Sequence, residues 1–351
     1  MTKTLYIHIG RPKVGSTAIQ RFLKFNRERL LEQGILYPRT GERENASHLL
    51  AEAMSAEDVA AREALFTELV AEIDAADCQS AILSSENFYF VDPGQLAACF
   101  PERFQVKIVC YVRRQDEVLV SSYIQEMKDG SLEPEDEQNL DRYLGGKERL
   151  RLLDYKAMLD NWAAVFGEGN IVVRVFEKGQ LKGNLFGDIM DVLGLYLDDD
   201  YRLPPQRVNP TPASDILALI KVINAYDEPK HFKRQLKSRL VEISEILDYD
   251  ARFDAKQVFS AQRREKALAK FARSNAETAR KYLGRSDGVL FREPVRDAPA
   301  SPGAISADTY SLDRMAEIWI GMLVAQQKRI NKLERQVRSI YTALNPPGDQ
   351  D

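Results

Sequence analysis

Within TLYIHIGRPKVGSTAIQRFL, residues 4–23, Gly10 and Gly15 are separated by four residues, Lys13 lies between them, and Ser16 and Thr17 follow. An apolar strand entering a glycine turn and leaving as a helix near Ser16 gathers unpaired backbone N–H groups and the positive end of the helix at one point. That chemistry suits an anion. Gly15 lets the backbone approach it, Ser16 and Thr17 donate hydrogen bonds, and Lys13 adds a full charge. The plainer reading is a glycine turn that only reverses the chain.

The Gly-x-x-x-x-Gly spacing is that of a phosphate-binding P-loop, but Ser16 stands where a nucleotide hydrolase or kinase carries its lysine. Such enzymes also hold magnesium with an aspartate at a strand end. Here the most apolar segment, FQVKIVCYV (104–112), runs into Arg113, and Ser121 follows eight residues later. An arginine in place of a metal-binding acid points to a second phosphate, which a guanidinium grips with two parallel hydrogen bonds. Arg114 and Ser122 repeat the same spacing.

With both segments in view, the chain resembles the sulfotransferases that use 3′-phosphoadenosine 5′-phosphosulfate (PAPS). PKVGST matches their 5′-phosphosulfate loop at Pro12, Lys13, Gly15, Ser16 and Thr17, and RRQDEVLVSSY matches their 3′-phosphate motif at Arg113 and Ser121. The likeness extends through LDYKAMLDNWAAVFGEGNIVVRVFE, DIMDVLGL and FARSNAETARKYLG, and so covers about residues 4–291. It implies transfer of a sulfuryl group from PAPS to a hydroxyl, with 3′,5′-ADP leaving and no metal required. Bacterial carbohydrate members are the most similar, so the implied acceptor is a glycan, glycolipid or related metabolite. Lys13 would stabilise charge growing on the bridging oxygen, and Arg113 with Ser121 would hold the 3′-phosphate.

In the heparan-type members the base is a glutamate in a Glu-Lys-Ser/Thr-x-x-Tyr-Phe context, and SENFYF places Glu86 there with Asn87 at the lysine position. His48, in RENASHLLAEAM, is the other candidate base, or a helix-capping surface residue. His8 reads as a core histidine, and His231 lies in a charged helical stretch without a special role. Arg11, Arg21, Lys24 and Asn209 stand near these motifs as ambiguous polar residues. A P-loop kinase or hydrolase, and a non-catalytic nucleotide fold carrying a coiled coil, are the competing readings.

These residues need strands to hold them. Strands are expected at residues 3–9, in ILYP, in SAILSSE, in FQVKIVCYV and in NIVVRVFE (170–177). The first helix should run to a cap at Gly34, others should cover about 57–74, 115–127, 153–166 and 180–193, and Asp92-Pro93 should open another. Strands alternating with helices imply a P-loop-like, doubly wound, mainly parallel α/β sheet. The expected organisation is a catalytic domain over 1–291 with a helical lobe at about 205–285, a Pro/Ala/Ser linker at 292–308, and a helix over 309–345. In that last helix Leu312, Trp319, Leu323, Ile330, Leu333, Val337, Ile340 and Leu344 share a heptad seam broken by Ala316 and Gln326. The seam suits either a homo-oligomeric coiled coil or docking on the chain's own domain.

The 351 residues, 44% hydrophobic and 29% charged, are ample for a packed core. A net charge of −4 does not suggest a nucleic-acid partner. No apolar run reaches the ~18 residues of a membrane span, and the N-terminus lacks signal-peptide features, so a cytoplasmic location is expected. Cys78, Cys99 and Cys110 are odd in number and lack metal-ligand spacing, as suits reduced thiols.

Overall fold

The structure, a computed structural model, describes residues 2–10, 13–133, 135–136, 139–205, 214–225, 228–246, 259–295 and 312–344. Strands β1 (Lys3–His8), β2 (Ile35–Leu36), β3 (Ser80–Ser84), β4 (Phe104–Val112) and β5 (Ile171–Val175) form one parallel sheet in the order β2-β3-β1-β4-β5. From β1 the chain goes to the edge strand β2, returns to β3 beside β1, and then crosses β1 to lay down β4 and β5 on the other side. Such a reversal leaves a crevice at the carboxyl ends of the central strands.

Successive strand residues face opposite sides, so strands apolar at nearly every position need cover on both faces. Leu5, Ile7, Leu83, Ile108, Cys110 and Val112 enter one core, and Tyr6, Ile82, Val109 and Tyr111 enter the other. Helix α1 (Ser16–Phe25) covers the second face with Ile19, Phe22 and Leu23. The first face takes Phe66, Leu69 and Ile73 from α4 (Val59–Ala75) and Leu159 and Trp162 from the helix Tyr155–Phe166. The sheet is therefore doubly wound, as its hydrophobic pattern predicted.

The helix expected to run unbroken to Gly34 is divided at Asn26 into α1 and α2 (Arg27–Glu32). Asn26 Nδ2 donates to Phe22 O (2.7 Å) and Arg202 O (3.0 Å), while its Oδ1 accepts from Arg202 N (2.8 Å). A side chain that competes for the helix backbone while tying down a distant segment favours a break there. Gly34 takes the expected left-handed turn, with φ +80°. A short helix, α3 (His48–Ala53), starts at His48, and α5 (Pro93–Ala97) opens with Asp92 capping Gln95 N at 2.8 Å and Pro93 in its first turn. Helix α6 (Gln115–Asp129) follows β4.

The chain divides into two compact units. The first, Met1–Ser122, Glu135–Val208 and Ala261–Val295, holds the sheet and the helices Ala261–Ala269 and Ala272–Leu283. The second, Tyr123–Pro134, Asn209–Ser260 and Arg296–Asp351, holds the end of α6 and the helices Ser214–Ala225, Lys230–Ile246 and Leu312–Leu344. Helices expected as one lobe over 205–285 are thus shared between the units. Within the second, Asn224 donates from Nδ2 to Met127 O (2.7 Å), and its Oδ1 accepts from Lys237 Nζ (3.1 Å). The proposed linker core at 296–308 and residues 345–351 lie outside the described residues. Among the described residues, no helix is long and apolar enough to cross a membrane.

Trp162 is 1% exposed in the first core and stacks on Phe166 at 5.8 Å. Trp162→Ala should lower unfolding stability by about 3–5 kcal/mol, read as an earlier urea midpoint.

Candidate functional site

Helix α1 begins directly from the glycine turn. Gly15 caps it with φ +84°, no side chain caps the helix, and no acid lies in its first turn. Lys13 also has positive φ, at +74°, while Val14 between them does not. Alternating handedness turns successive N–H groups toward the same side and makes an anion-binding concavity. A lysine in the left-handed region costs on the order of 1 kcal/mol, a strain characteristic of ligand sites.

Beneath the loop, His8 is wholly buried. Its Nδ1 lies 2.7 Å from Ser84 Oγ, and Nε2 has no hydrogen-bond partner. A Cβ on Gly10 would sit 2.7 Å from His8 Nε2 and 2.4 Å from Ser16 Oγ, so only glycine lets the loop close over the ring. Gly15 is equally constrained, since its Cβ would lie 2.6 Å from Leu185 Cδ2 and 3.2 Å from Phe176 Cε2. Burial pushes the His8 pKa down to about 4, so the imidazole is neutral at physiological pH.

Arg113 meets this loop from the end of β4. Its Nη1 donates to Lys13 O at 2.8 Å, its Nε pairs with Glu117 at 2.7 Å, and its guanidinium lies 5.6 Å from the Phe176 ring centroid. Tyr155 Oη pins the backbone beneath, accepting from Arg113 N at 3.3 Å and donating to Arg113 O. Ser121 lies one helical turn beyond Glu117 on α6, on the face that carries the partner of Arg113.

Arg114 shares the Glu117 carboxylate with Arg113, its Nη2 lying 3.3 Å from Oε1, but otherwise points away from the loop. It is buried, with Nε 2.7 Å and Nη2 3.2 Å from the Asp116 carboxylate and Nη1 2.6 Å from Glu293 O. Arg264 also reaches Asp116, with Nη2 at 2.7 Å. Of two arginines with identical spacing to a serine, Arg113 stands at the loop and Arg114 ties later segments to α6.

The two candidate bases come together at the carboxyl end of β3. Glu86 starts a 3-10 turn, Glu86–Phe90, and its Oε2 accepts from Gln20 Nε2 at 2.7 Å. Gln20 is buried on α1 one turn after Ser16, so it couples Glu86 to the loop's helix. His48 Nδ1 lies 2.9 Å from Ser85 Oγ, and Ser85 N donates to His8 O at 3.2 Å. His48, Ser85, Glu86 and His8 thus share one edge of the sheet.

Lys24 pairs with Glu42 at 2.6 Å, away from any role at the loop that this structure defines. His231 is exposed on the second unit, and Arg11, Pro12 and Asn209 lie outside the described residues. Among the described residues, no group of three or more His, Cys, Asp or Glu side chains could hold a metal. Cys78, Cys99 and Cys110 are not joined in disulfides. Sequence reasoning missed Gln20, Glu117, Tyr155 and Phe176. The first two carried a signal, four residues after Ser16 and Arg113 respectively; Tyr155 and Phe176 reach the site only through the fold.

Compared with models of known protein families, the chain matches none. It is 27% identical over 192 residues to an uncharacterized protein of Archaeoglobus fulgidus, covering 53% of this chain and 48% of that protein. The chain therefore spans about half the length of the curated relative it matches. Among solved structures it is similar to a sulfotransferase from Alicyclobacillus acidocaldarius, with 16% identity, a TM-score of 0.38, and 67% of this chain and 96% of that chain covered. At that TM-score no residue role passes between the two chains.

Two stability measurements check the geometry. Arg114→Ala removes a buried ion-pair partner and should cost about 3 kcal/mol, whereas Arg113→Ala should cost under about 1 kcal/mol; similar losses would contradict their different placements. For His8, the unfolded chain binds a proton near pH 6.5 and the folded chain only at about pH 4. Acid therefore favours unfolding, and the neutral ring's contribution, on the order of 3 kcal/mol, is intact above pH 6.5 and lost as pH falls to 4. His8→Gln should flatten that part of the stability profile, and an unchanged slope would rule out a buried neutral His8.

Proposed function

We propose that this chain is a PAPS-dependent sulfotransferase acting on a hydroxyl of a carbohydrate, glycolipid or related acceptor. The observation that carries the reading is the 2.8 Å bond from Arg113 Nη1 to Lys13 O. It joins two segments a hundred residues apart, so that two cationic residues and an uncapped helix N-terminus share one sheet edge. The resemblance assigns those same segments to the two anionic ends of one adenosine nucleotide.

The local chemistry fits such a group. Donors converge on the loop without an acid in the first turn of α1. If Ser84 donates to His8 Nδ1, the orphaned Nε2 carries the proton and becomes a neutral donor aimed into the loop. Gly10 leaves that direction clear.

When bound, PAPS supplies the sulfuryl group and leaves as 3′,5′-ADP. Lys13, Ser16, Thr17 and the N–H groups after Gly15 bind its 5′-end, and Lys13 balances the charge that develops on the bridging oxygen. Arg113, with Ser121, holds the 3′-phosphate and thereby distinguishes this nucleotide from ADP. Glu86 takes the proton of the acceptor hydroxyl, and its bond from Gln20 fixes which oxygen faces that hydroxyl. His48, held by Ser85, is the second base available at this edge. Protein cations and the helix end supply the positive charge.

Calorimetry should find 3′,5′-ADP bound more tightly than ADP with magnesium, and labelled PAPS with a glycan panel should yield a labelled product. Lys13→Ala should reduce kcat by about 100-fold or more. Arg113→Ala should weaken 3′,5′-ADP binding by roughly 10- to 100-fold with a smaller effect on 5′-AMP. Preference for ADP with magnesium would instead indicate a nucleotide kinase or hydrolase. Tight 3′,5′-ADP binding without any labelled product, and with Glu86→Gln inert, would indicate a binding protein.

A further inference from the structure

The last helix, Leu312–Leu344, packs on the helix Lys230–Ile246 within its own unit. Ile318 is 1% exposed, yet every residue from Gln326 to Val337 is exposed. A helix surrounded by water is marginal, and this one also carries apolar side chains into solvent. Trp319, Leu323, Ile330, Leu333, Val337 and Ile340 are 58, 66, 41, 50, 64 and 60% exposed.

We propose that this seam is covered by the same helix of a second copy, forming a parallel, in-register, two-stranded coiled coil over residues 319–344. This does not depend on what the loop binds. Residues 318–325, IWIGMLVA, are apolar on all sides, as suits docking within the unit. From Gln326 the pattern changes. Between 326 and 340 the apolar residues are Ile330, Leu333, Val337 and Ile340 alone, spaced three and four apart. A helix packed on a globular domain shows a broader stripe, whereas so narrow a seam is that of a coiled coil.

The residues beside the seam select the partner and its direction. With Ile330 and Val337 at the a positions, Leu333 falls at d, a choice that favours two strands. Gln326 also falls at d. In a parallel pair it meets its own copy and the two amides satisfy each other, whereas in an antiparallel pair it faces an apolar residue and is left unpaired. Arg329 occupies g and Glu334 the e position five residues later, so in a parallel pair each Arg329 lies beside the partner's Glu334. An antiparallel pair sets g beside g and loses that charge match.

Light scattering on the full chain should report two copies, and Ile330→Asp combined with Val337→Asp should give one. Leu333→Cys should form an intermolecular disulfide on mild oxidation, beyond any background from the three native cysteines, because in-register d positions face each other. Arg329→Glu and Glu334→Arg should each weaken the dimer by about tenfold, and the double exchange should restore it. A monomer at all concentrations, a dimer that survives the two aspartates, or a dimer whose Leu333→Cys form does not crosslink would each overturn the proposal. Nucleotide binding by the aspartate variant keeps this outcome separate from the reading of the loop.

Discussion

The contact between Arg113 and Lys13 O fixes where the first loop lies relative to the end of β4. Parallel strands deliver their following loops to the same edge, but they do not specify which backbone groups meet there. In this chain the Arg113 guanidinium takes up a loop carbonyl while Tyr155 Oη holds the backbone N–H and C=O of Arg113. Phe176 and Leu185 back the turn at Gly15 so closely that a methyl group would not fit. The loop is therefore held from above by charge and from behind by apolar packing.

Several helices of the first unit begin by the local rules, and the turn at Lys13 and Gly15 departs from them in three ways. Asp58, Asp92, Asp154 and Asn184 cap their helices with side-chain acceptors. Helix α1 has no such cap, Lys13 adopts a conformation that a side chain resists, and His8 buries a nitrogen without a partner. Each departure costs free energy, and all three adjoin the same turn. Uncapped helices, a left-handed Glu44 and a buried, unpartnered Arg29 Nε also occur elsewhere in this unit, so what marks the turn is that three such departures coincide there.

The same edge separates residues that are chemically alike. Arg113 and Arg114 are adjacent, yet alternation along the strand end sends one to the loop and the other into a buried network with Asp116 and Arg264. Glu86 and His48 are 38 positions apart but hang from neighbouring residues, since Ser85 bonds His48 and directly precedes Glu86. Glu86 is tied to Gln20 on α1 and His48, on α3, to Ser85, so the two candidate bases are held by different helices at the same strand end.

The sequence by itself determined the sheet, because continuous apolar runs between amphipathic stretches have few ways to be buried other than as parallel strands covered on both faces. It also identified the loop at Gly10 to Thr17 and a strand-end arginine, because glycine spacing and local charge are readable along the chain. It could not show that Arg113 rather than Arg114 contacts Lys13 O, since their spacings to serine are identical, nor could it couple Gln20 to Glu86 across 66 residues. The break at Asn26 was equally hidden, since it depends on Arg202. Only tertiary structure decided these, because each is set by which side chains from distant segments reach the same few ångströms, a quantity that no local period encodes.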